Sequence, residues 1–302
     1  MSPLLVIVGT NASGKSNLGI ELAKKYNGEI ISADSRQVFK KLDLGSGKVT
    51  QSEMQGIKHH LIDVCEPGEF FSMADFQKLT YIAIEDILSR GKLPMLVGGT
   101  GLYVNCVTEG YILSNIMPDL AYREKLETYS TQELYSMLKQ EKPDIEIEPG
   151  ARNRIMRLLE KIHDGDPLTP QKKPRYNTLT LGVSWQRDIL ATRIDERLAM
   201  RMQQGMLQEV QDLLDSNVSE VFLYKLGLEY RLISDYLLGR FDSEEAMLDR
   251  LSISIKQFAK RQMTWFRKNE NINWLNMQEN PFDEACMLID IWRKENAISF
   301  GS

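Results

Sequence analysis

The first residues that can do chemistry form the segment GTNASGKS, residues 9–16, directly after the apolar run LLVIV. The segment matches the pattern G-x-x-x-x-G-K-[ST], in which backbone N–H groups and a helix N-terminus surround a phosphate. The lysine adds a full positive charge, and the serine hydroxyl suits a Mg²⁺ ion. The pattern therefore predicts a phosphate site, with Ser16 as the metal ligand, made of Gly9, Thr10, Asn11, Ala12, Ser13, Gly14, Lys15 and Ser16. The motif does not say which phosphate compound is bound.

Three further polar residues follow apolar runs that are typical of strands. Asp34 ends EIISAD, Asp63 lies in HHLIDV, and Thr100 follows LPMLVGG. Because the carboxyl ends of parallel strands meet at one edge of a sheet, we expect these side chains to lie beside the phosphate site. An acid at this edge can hold Mg²⁺. Capping of the next helix is the alternative role for both aspartates.

Strands and helices must alternate along the chain to build such an edge. Apolar runs over 4–8, 29–34, 59–64 and 93–99 predict strands, and residues 74–90 have helical spacing. This alternation is typical of a doubly wound α/β fold. The predicted fold class is therefore α/β, with a P-loop NTPase-like parallel sheet flanked by helices.

Helical spacing dominates after about residue 115. We predict a P-loop α/β core over 1–115, a helical insertion over 116–177, and a third part over 178–302. The third part begins with a strand over 178–185 that returns to the core, and continues as a helical C-terminal region. We expect the last twenty residues to be a loosely attached tail.

Composition narrows the function classes. The 302 residues carry a net charge of −5, and no apolar run is long enough to cross a membrane. The apolar N-terminus reads as a buried strand without the basic residues of a signal peptide. Cys65, Cys106 and Cys286 form no paired motif, which argues against a disulfide framework or a zinc site. We expect a cytoplasmic protein.

Positive charge is concentrated in two segments of this acidic chain. Residues 151–175 hold seven basic side chains against three acidic ones, and residues 251–270 hold five against one, so each has a net charge of +4. Trp265 and Phe266 lie among the second set. Clustered cations with interleaved aromatics are typical of a nucleic-acid footprint. The alternative is a solvated helix face with Trp265 in the core.

Several longer phrases together resemble one family. They are ISADSRQVFKKLDLGSGK (31–48), HHLIDV (59–64), VGGTGLY (97–103), RNRIMRLLE (152–160) and KRQMTWFRK (260–268), in addition to GTNASGKS. Over about residues 4–275 the chain resembles the bacterial tRNA dimethylallyltransferases, also called tRNA isopentenyltransferases. The DSRQV…LDLGSGK and KRQMTWFRK phrases are much more specific than the phosphate loop.

The resemblance implies a reaction and a set of roles. In this family the phosphate loop holds dimethylallyl diphosphate with Mg²⁺, and the acceptor is the exocyclic N6 amine of the adenosine 3′ of the anticodon. By this resemblance Asp34 is the general base, and Thr100 contacts the oxygen that bridges carbon and diphosphate. Lys15 and an arginine, for which we prefer Arg193 over Arg197, lie near the leaving group.

The resemblance also implies contacts to the anticodon stem-loop of tRNA. The residues that match tRNA-contacting segments are Asp34, Ser35, Arg36, Gln37, Thr100, Arg123, Asn153, Arg154, Ile155, Met156 and Arg157. The second basic segment adds Lys260, Arg261, Trp265 and Arg267. We expect a monomer with no membrane partner.

Three other functions fit part of the sequence. A nucleotide or metabolite kinase explains the first hundred residues but not the two basic segments. A non-catalytic RNA-binding module explains the basic segments but not the polar residues at the strand ends. A prenyltransferase that acts on free adenine nucleotides shares the chemistry, and the basic insertion and the C-terminal helical region favour tRNA over it.

Overall fold

A computed structural model of the chain describes residues 1–113 and 119–298. The chain divides into two compact units, Met1–Thr108 with Arg175–Ser302, and Glu109–Pro174. The second unit overlaps the predicted insertion, whose predicted first residue, 116, lies outside the described residues. The last four residues of the predicted tail also lie outside them.

The structure contains short strands and many helices. The strands are β1 (Ser2–Gly9), β2 (Gly28–Ser32), β3 (His59–His60), β4 (Leu93–Gly98), β5 (Tyr111–Ile112), β6 (Gln171–Lys172), β7 (Tyr176–Ser184) and β8 (Ile272–Asn276). The helices are α1 (Lys15–Lys25), α2 (Gln51–Met54), α3 (Met73–Ser89), α4 (Gly101–Thr108), α5 (Leu120–Glu127), α6 (Thr131–Glu141), α7 (Arg152–His163), α8 (Arg187–Gln203), α9 (Met206–Asp215), α10 (Glu220–Leu226), α11 (Leu228–Leu237), α12 (Glu244–Phe266) and α13 (Pro281–Glu295).

Six of the strands form one parallel sheet in the order β3-β2-β4-β1-β7-β8. The central strand β1 pairs with β4 from Leu5 opposite Met95 to Val8 opposite Gly98. Its residues 4–8 are fully buried, which explains why they are all apolar. The α/β fold class is confirmed, and the carboxyl ends of β1, β2, β4 and β7 meet at one edge.

The tail prediction was wrong. Residues 281–295 form α13, which starts with a proline in its first turn and an Asn280 cap. Its residues Cys286, Ile289 and Trp292 are buried in the cluster that also contains the sheet and α1. The predicted loose end is therefore part of the core, and β8, which the sequence reading missed, forms an edge strand just before it.

A second hydrophobic cluster joins the helices α8 to α12 to the loop after β2. Val38, Leu42 and Tyr230 are fully buried within it. The helical run expected beyond residue 188 is broken at Gly205, which has a φ of 100° and separates α8 from α9. This cluster fixes α8 and α12 beside the carboxyl edge of the sheet.

Two strand predictions need correction. The run over 59–64 is a strand only at His59–His60, because Leu61 and Asp63 adopt left-handed backbone conformations with φ of 61° and 57°. Strand-like residues were not expected between 116 and 177, yet β6 pairs antiparallel with β5. The other predicted strands, and the helix predicted over 74–90, match the structure to within a few residues.

The second unit has its own small core. The buried side chains of α5, α6 and α7 pack together, among them Leu126, Leu134 and Leu159. The three cysteines of the chain are free and buried. Among the described residues, no helix combines the length and low charge that a membrane span requires.

Candidate active site at the carboxyl edge of the sheet

The loop between β1 and α1 has the shape of a phosphate cradle. Gly14 has a φ of 85° and precedes the first residue of α1, a conformation that favours glycine. Two neighbours hold the loop from outside. The Trp185 indole N–H donates to the Ser13 carbonyl at 2.8 Å, and Arg193 Nε donates to the Ala12 carbonyl at 3.0 Å. The predicted loop Gly9–Ser16 thus has the strand–loop–helix context that its motif requires.

Lys15 lies within this loop and is half-buried. Its Nζ donates to the Thr10 carbonyl at 3.1 Å. Burial, and next the charge of Arg197, lower the pKa of Lys15 to about 8, while Asp34 opposes the change. The lysine is therefore a cation that burial and neighbouring cations disfavour, and a bound anion would stabilise its charge.

Asp34 and Thr100 lie side by side at the ends of β2 and β4. Asp34 Oδ1 accepts the backbone N–H of Arg36 at 2.9 Å, and the Thr100 hydroxyl accepts the N–H of Ser35 at 3.2 Å. The Thr100 N–H in turn donates to the Ala33 carbonyl at 3.2 Å. The Asp34 side chain is only 14% exposed. These bonds fix the carboxylate and the hydroxyl on one small surface.

Lys15 belongs to the same surface. Gly99 directly precedes Thr100, and a Cβ atom built on Gly99 would lie 3.7 Å from the Lys15 ammonium. The Lys15 ammonium is therefore close to the loop that carries Thr100. Asp34 and Lys15 are also close enough to shift the pKa of the lysine. The sheet therefore brings Lys15, Asp34 and Thr100 together from three neighbouring strand ends, as the sequence predicted.

Helix α8 contributes a row of arginines. Arg193 stacks on the Trp185 ring at 4.4 Å, and Arg197 Nη2 donates to the Gly47 carbonyl at 3.5 Å. Arg201 lies one turn further on, and burial lowers its pKa to about 9. The sequence reading missed Arg201, although the spacing of four residues from Arg193 to Arg197 to Arg201 places all three on one helix face.

Arg193 and Arg197 both line a groove beside the phosphate loop, so the structure does not choose between them. The groove has a volume of about 330 Å³, which falls within the range of small-molecule sites. Its lining also includes Lys15, Ser16 and Met200. A diphosphate in the phosphate loop would meet both guanidinium groups.

Arg36 has a different environment from the one that the resemblance implied. Its side chain is 11% exposed and pairs with the buried carboxylate of Glu229 at 2.6 Å. Its Nε lies 3.8 Å from Asp34 Oδ1. The neighbouring Gln37 also points inward, accepting from the Ser32 hydroxyl at 2.8 Å and donating to the Gly47 carbonyl at 3.2 Å. These side chains support the Asp34 loop.

Asp63 does not join the group of Lys15, Asp34 and Thr100. Its carboxylate pairs with Lys48 Nζ at 2.6 Å, and Lys48 also binds Asp43. Asp63 itself adopts a left-handed conformation, and its partner Lys48 lies in the loop between β2 and α2. The structure therefore supports neither a metal site nor a helix cap at Asp63.

The second basic segment forms one face of α12. An open groove on this face is lined by the polar side chains of Gln257 and Thr264 and by the cationic and aromatic side chains of Lys260, Arg261, Trp265 and, just beyond the helix end, Lys268. Trp265 is 42% exposed. The alternative that placed Trp265 in the core is therefore excluded. Arg267 is exposed just beyond the helix end.

Of the residues of the second unit that were predicted to contact RNA, some are exposed and others are buried. Asn153, Arg154 and Arg157 are exposed on α7, and Arg123 pairs with Glu160 at 3.3 Å. Ile155 and Met156, however, are 0% and 5% exposed in the core of this unit. Their side chains pack inward, so the proposed RNA surface excludes them.

Comparisons with family models, with related sequences and with solved structures all indicate one family. The IPP transferase family model matches residues 37–269, and the isopentenyl transferase model matches residues 2–69. The chain is 42% identical over 298 residues to tRNA dimethylallyltransferase 2 of Shewanella sediminis, which covers 95% of this chain and 97% of that protein. This chain is a member of the tRNA dimethylallyltransferase family.

Two further relatives of this family support the assignment. A tRNA dimethylallyltransferase 2 of Syntrophotalea carbinolica is 43% identical over 291 residues, covering 92% of this chain and 95% of the relative. The crystal structure of the full-length tRNA isopentenylpyrophosphate transferase of Bacillus halodurans is 38% identical, with a TM-score of 0.74 over 98% of this chain and 96% of that one. The likeness thus covers the carboxyl edge of the sheet and both units.

Proposed function

We propose that this protein transfers a dimethylallyl group from dimethylallyl diphosphate to the exocyclic N6 amine of the adenosine 3′ of the anticodon in tRNA, releasing diphosphate. The observation that carries the proposal is the juxtaposition of Lys15, Asp34 and Thr100 at one sheet edge. Membership of the tRNA dimethylallyltransferase family supports the same reaction. The family matches do not favour a nucleotide or metabolite kinase.

Asp34 acts as the general base. An exocyclic aryl amine is a weak nucleophile, and it needs a nearby carboxylate to accept its proton as the carbon–nitrogen bond forms. Asp34 Oδ1 is held by the Arg36 N–H, and the carboxylate is almost buried beside Thr100. A base in this position accepts the proton from N6 while the bond from the prenyl carbon to oxygen breaks.

The leaving diphosphate is stabilised by the phosphate loop. Lys15, the N–H groups at the start of α1 and one of the α8 arginines, Arg193 or Arg197, oppose the negative charge that develops on the bridging oxygen. Thr100 donates a hydrogen bond from its hydroxyl to that oxygen. The hydroxyl oxygen accepts the N–H of Ser35, and among the described residues the hydroxyl donates to no protein group, so its hydrogen can face the diphosphate.

A divalent ion fits the site through Ser16. Among the described residues the Ser16 hydroxyl has no protein partner, and it opens to the groove. No group of three or more histidine, cysteine, aspartate or glutamate side chains in the described ranges forms a metal site by itself. This suits Mg²⁺, which takes one or two protein ligands together with substrate phosphates. The ion would neutralise charge on the diphosphate.

RNA binding uses exposed cations of both units. Lys260, Arg261, Trp265 and Arg267 on and beyond α12, and Asn153, Arg154 and Arg157 on α7, are accessible. The target adenosine is stacked in its loop and must be flipped into the pocket to reach Asp34. Exposed aromatics and cations are the groups that single-stranded RNA loops contact.

A transfer assay tests the proposal. Purified protein, Mg²⁺ and labelled dimethylallyl diphosphate are mixed with unmodified tRNA, with AMP, or with ATP in separate tubes. The proposal expects label in tRNA alone. Label in AMP would show that the protein is a prenyltransferase whose acceptor is a free adenine nucleotide. Consumption of ATP without prenyl transfer would instead support the kinase function.

A further inference from the structure

We propose that Gln262 and Trp265, one turn apart on α12, are positioning residues that clamp the loop carrying Thr100 against the phosphate loop. The proposal rests on the proposed function, because it assigns the clamp to the transfer reaction. It gives two residues of the KRQMTWFRK phrase a role inside the active site, in addition to the RNA surface that this phrase presents.

Gln262 bridges the two loops with both ends of its amide. Its Oε1 accepts the backbone N–H of Asn11 at 3.0 Å, and its Nε2 donates to the Gly99 carbonyl at 2.9 Å. The side chain is 7% exposed, so no solvent replaces these bonds. Buried bonds with both partners satisfied fix geometry, and losing one leaves a buried backbone group unpaired.

Trp265 closes the other side of the same loop. A Cβ on Gly101 would lie 2.3 Å from both Cδ1 and Nε1 of the indole, so the ring rests directly on the Gly101 backbone. Only glycine allows this approach. The other side of the ring faces the groove on α12.

Thr100 therefore sits between two contacts from a single helix. The residue before it is bonded to Gln262, and the residue after it is covered by Trp265. The spacing of three residues places both side chains on the same face of α12. The backbone on both sides of Thr100 is thereby fixed, and with it the position from which its hydroxyl would meet the diphosphate in the proposed reaction.

The clamp also links the two substrates of the proposed reaction. Lys260 and Arg261 lie on the same helix as the clamp and face the groove. Gln262 contacts the phosphate loop through Asn11. A shift of α12 on binding RNA would therefore move the Thr100 loop and the phosphate loop together.

Substitution of Gln262 by Met tests the first contact. It keeps the length of the side chain and removes both amide bonds. We expect a single-turnover transfer rate at saturating substrates about 100-fold lower, because a misplacement of about 1 Å costs on that order, with the Kd for tRNA unchanged. Gln262→Glu retains the acceptor for Asn11 and should recover part of the rate. The matched control is Gln208→Met, an exposed glutamine of α9 that bonds Asp212 in its own helix.

Hydrogen–deuterium exchange gives a readout that does not depend on transfer. The amide of Thr100 donates to the Ala33 carbonyl, so its exchange reports on the order of the loop. We expect peptides covering residues 95–104 to exchange faster in Gln262→Met and at the wild-type rate in Gln208→Met. Unchanged exchange and an unchanged single-turnover rate would overturn the clamp, while wild-type protein that transfers no label would overturn the proposed function instead.

A double-mutant cycle tests the second contact. Gly101→Ala alone introduces a Cβ whose three nearest neighbours all belong to the indole, and the backbone of Gly101 is not left-handed, so the clash with the ring should slow transfer. In a Trp265→Ala background the same change meets no ring, so its effect should nearly vanish. Equal effects of Gly101→Ala in both backgrounds would show that the ring does not position this loop.

Discussion

The backbone N–H of Ser35 donates to the Thr100 hydroxyl oxygen at 3.2 Å, although the two residues are 65 positions apart in the sequence. This bond joins the loops after β2 and β4 into one surface. It sets the position of Asp34 relative to Thr100. In the proposed reaction, the base and the group that stabilises the leaving oxygen would thereby be held in one geometry before the substrates bind.

Asp34→Asn is expected to slow transfer by about 10²–10⁴, because the amide cannot accept the N6 proton. Donor binding should stay close to that of the wild type, since the phosphate loop is unchanged. The measurement is single-turnover transfer to tRNA with parallel titration of dimethylallyl diphosphate. Asp242→Asn, an exposed aspartate at the start of the α12 region, is the matched control. A wild-type rate in Asp34→Asn would remove Asp34 as the base.

Donor affinity should depend on pH through Lys15. Its pKa of about 8 means that the free lysine is charged below pH 8 and loses its proton as the pH rises above it. The affinity for dimethylallyl diphosphate should then fall by about tenfold per pH unit above 8, until the pKa of the complex is reached. Calorimetric titrations from pH 7 to 10 measure this. Lys15→Arg keeps its charge and should give a flat profile, and a decline of equal size in this variant would contradict the assignment.

The charged Lys15 should also oppose folding. Its folded pKa lies below its ordinary value of 10.5, so the unfolded chain binds the proton more tightly between pH 8 and 10.5. The penalty is complete below pH 8 and is relieved as the pH rises through this window. Lys15→Met should therefore raise the midpoint of thermal unfolding above that of the wild type, and by most below pH 8. A difference between variant and wild type that grows as the pH rises would contradict this prediction.

Breaking the buried pair of Arg36 and Glu229 should cost stability. Removing one partner of a buried ion pair leaves the other charge unpaired and costs about 3–5 kcal/mol. Arg36→Met and Glu229→Leu should each lower the denaturant midpoint, and the double variant should recover much of the loss. If Arg36→Met weakened tRNA binding without changing stability, Arg36 would instead be the direct RNA contact that the resemblance implied.

Replacing Arg154 and Arg157 together by Gln should weaken tRNA binding and reduce its salt dependence. Both side chains are exposed on α7, and each phosphate contact contributes to the slope of log K against log salt. Filter binding from 50 to 300 mM salt measures the slope. Arg240→Gln, an exposed arginine paired with Glu220 and Asp235, controls for the loss of surface charge. An unaltered slope would show that α7 does not contact phosphates.

Much of the catalytic edge was predictable because its signals are local. The phosphate loop combines a motif with a buried strand and a helix, and Asp34 and Thr100 each follow an apolar run. The rule that parallel strand ends converge then brings them together without knowledge of the structure.

The remaining features depend on contacts that are distant in sequence. The pairing of Arg36 with Glu229 spans 193 positions, and the Gln262 bridge to Asn11 spans 251. Nothing local distinguishes a buried arginine from an exposed one in a segment that resembles an RNA contact. The tail was misread because α13 is amphipathic and charged, and its buried face becomes apparent only against the sheet and α1.

The most direct test of the account maps the prenyl group on the product. Unmodified tRNA is incubated with protein, Mg²⁺ and dimethylallyl diphosphate, digested with a ribonuclease and sequenced by mass spectrometry. The account predicts one prenylated nucleoside, with the group on N6 of the adenosine 3′ of the anticodon, and its loss in Asp34→Asn. A prenyl group on another nucleotide, or the same product from Asp34→Asn at the wild-type rate, would contradict it.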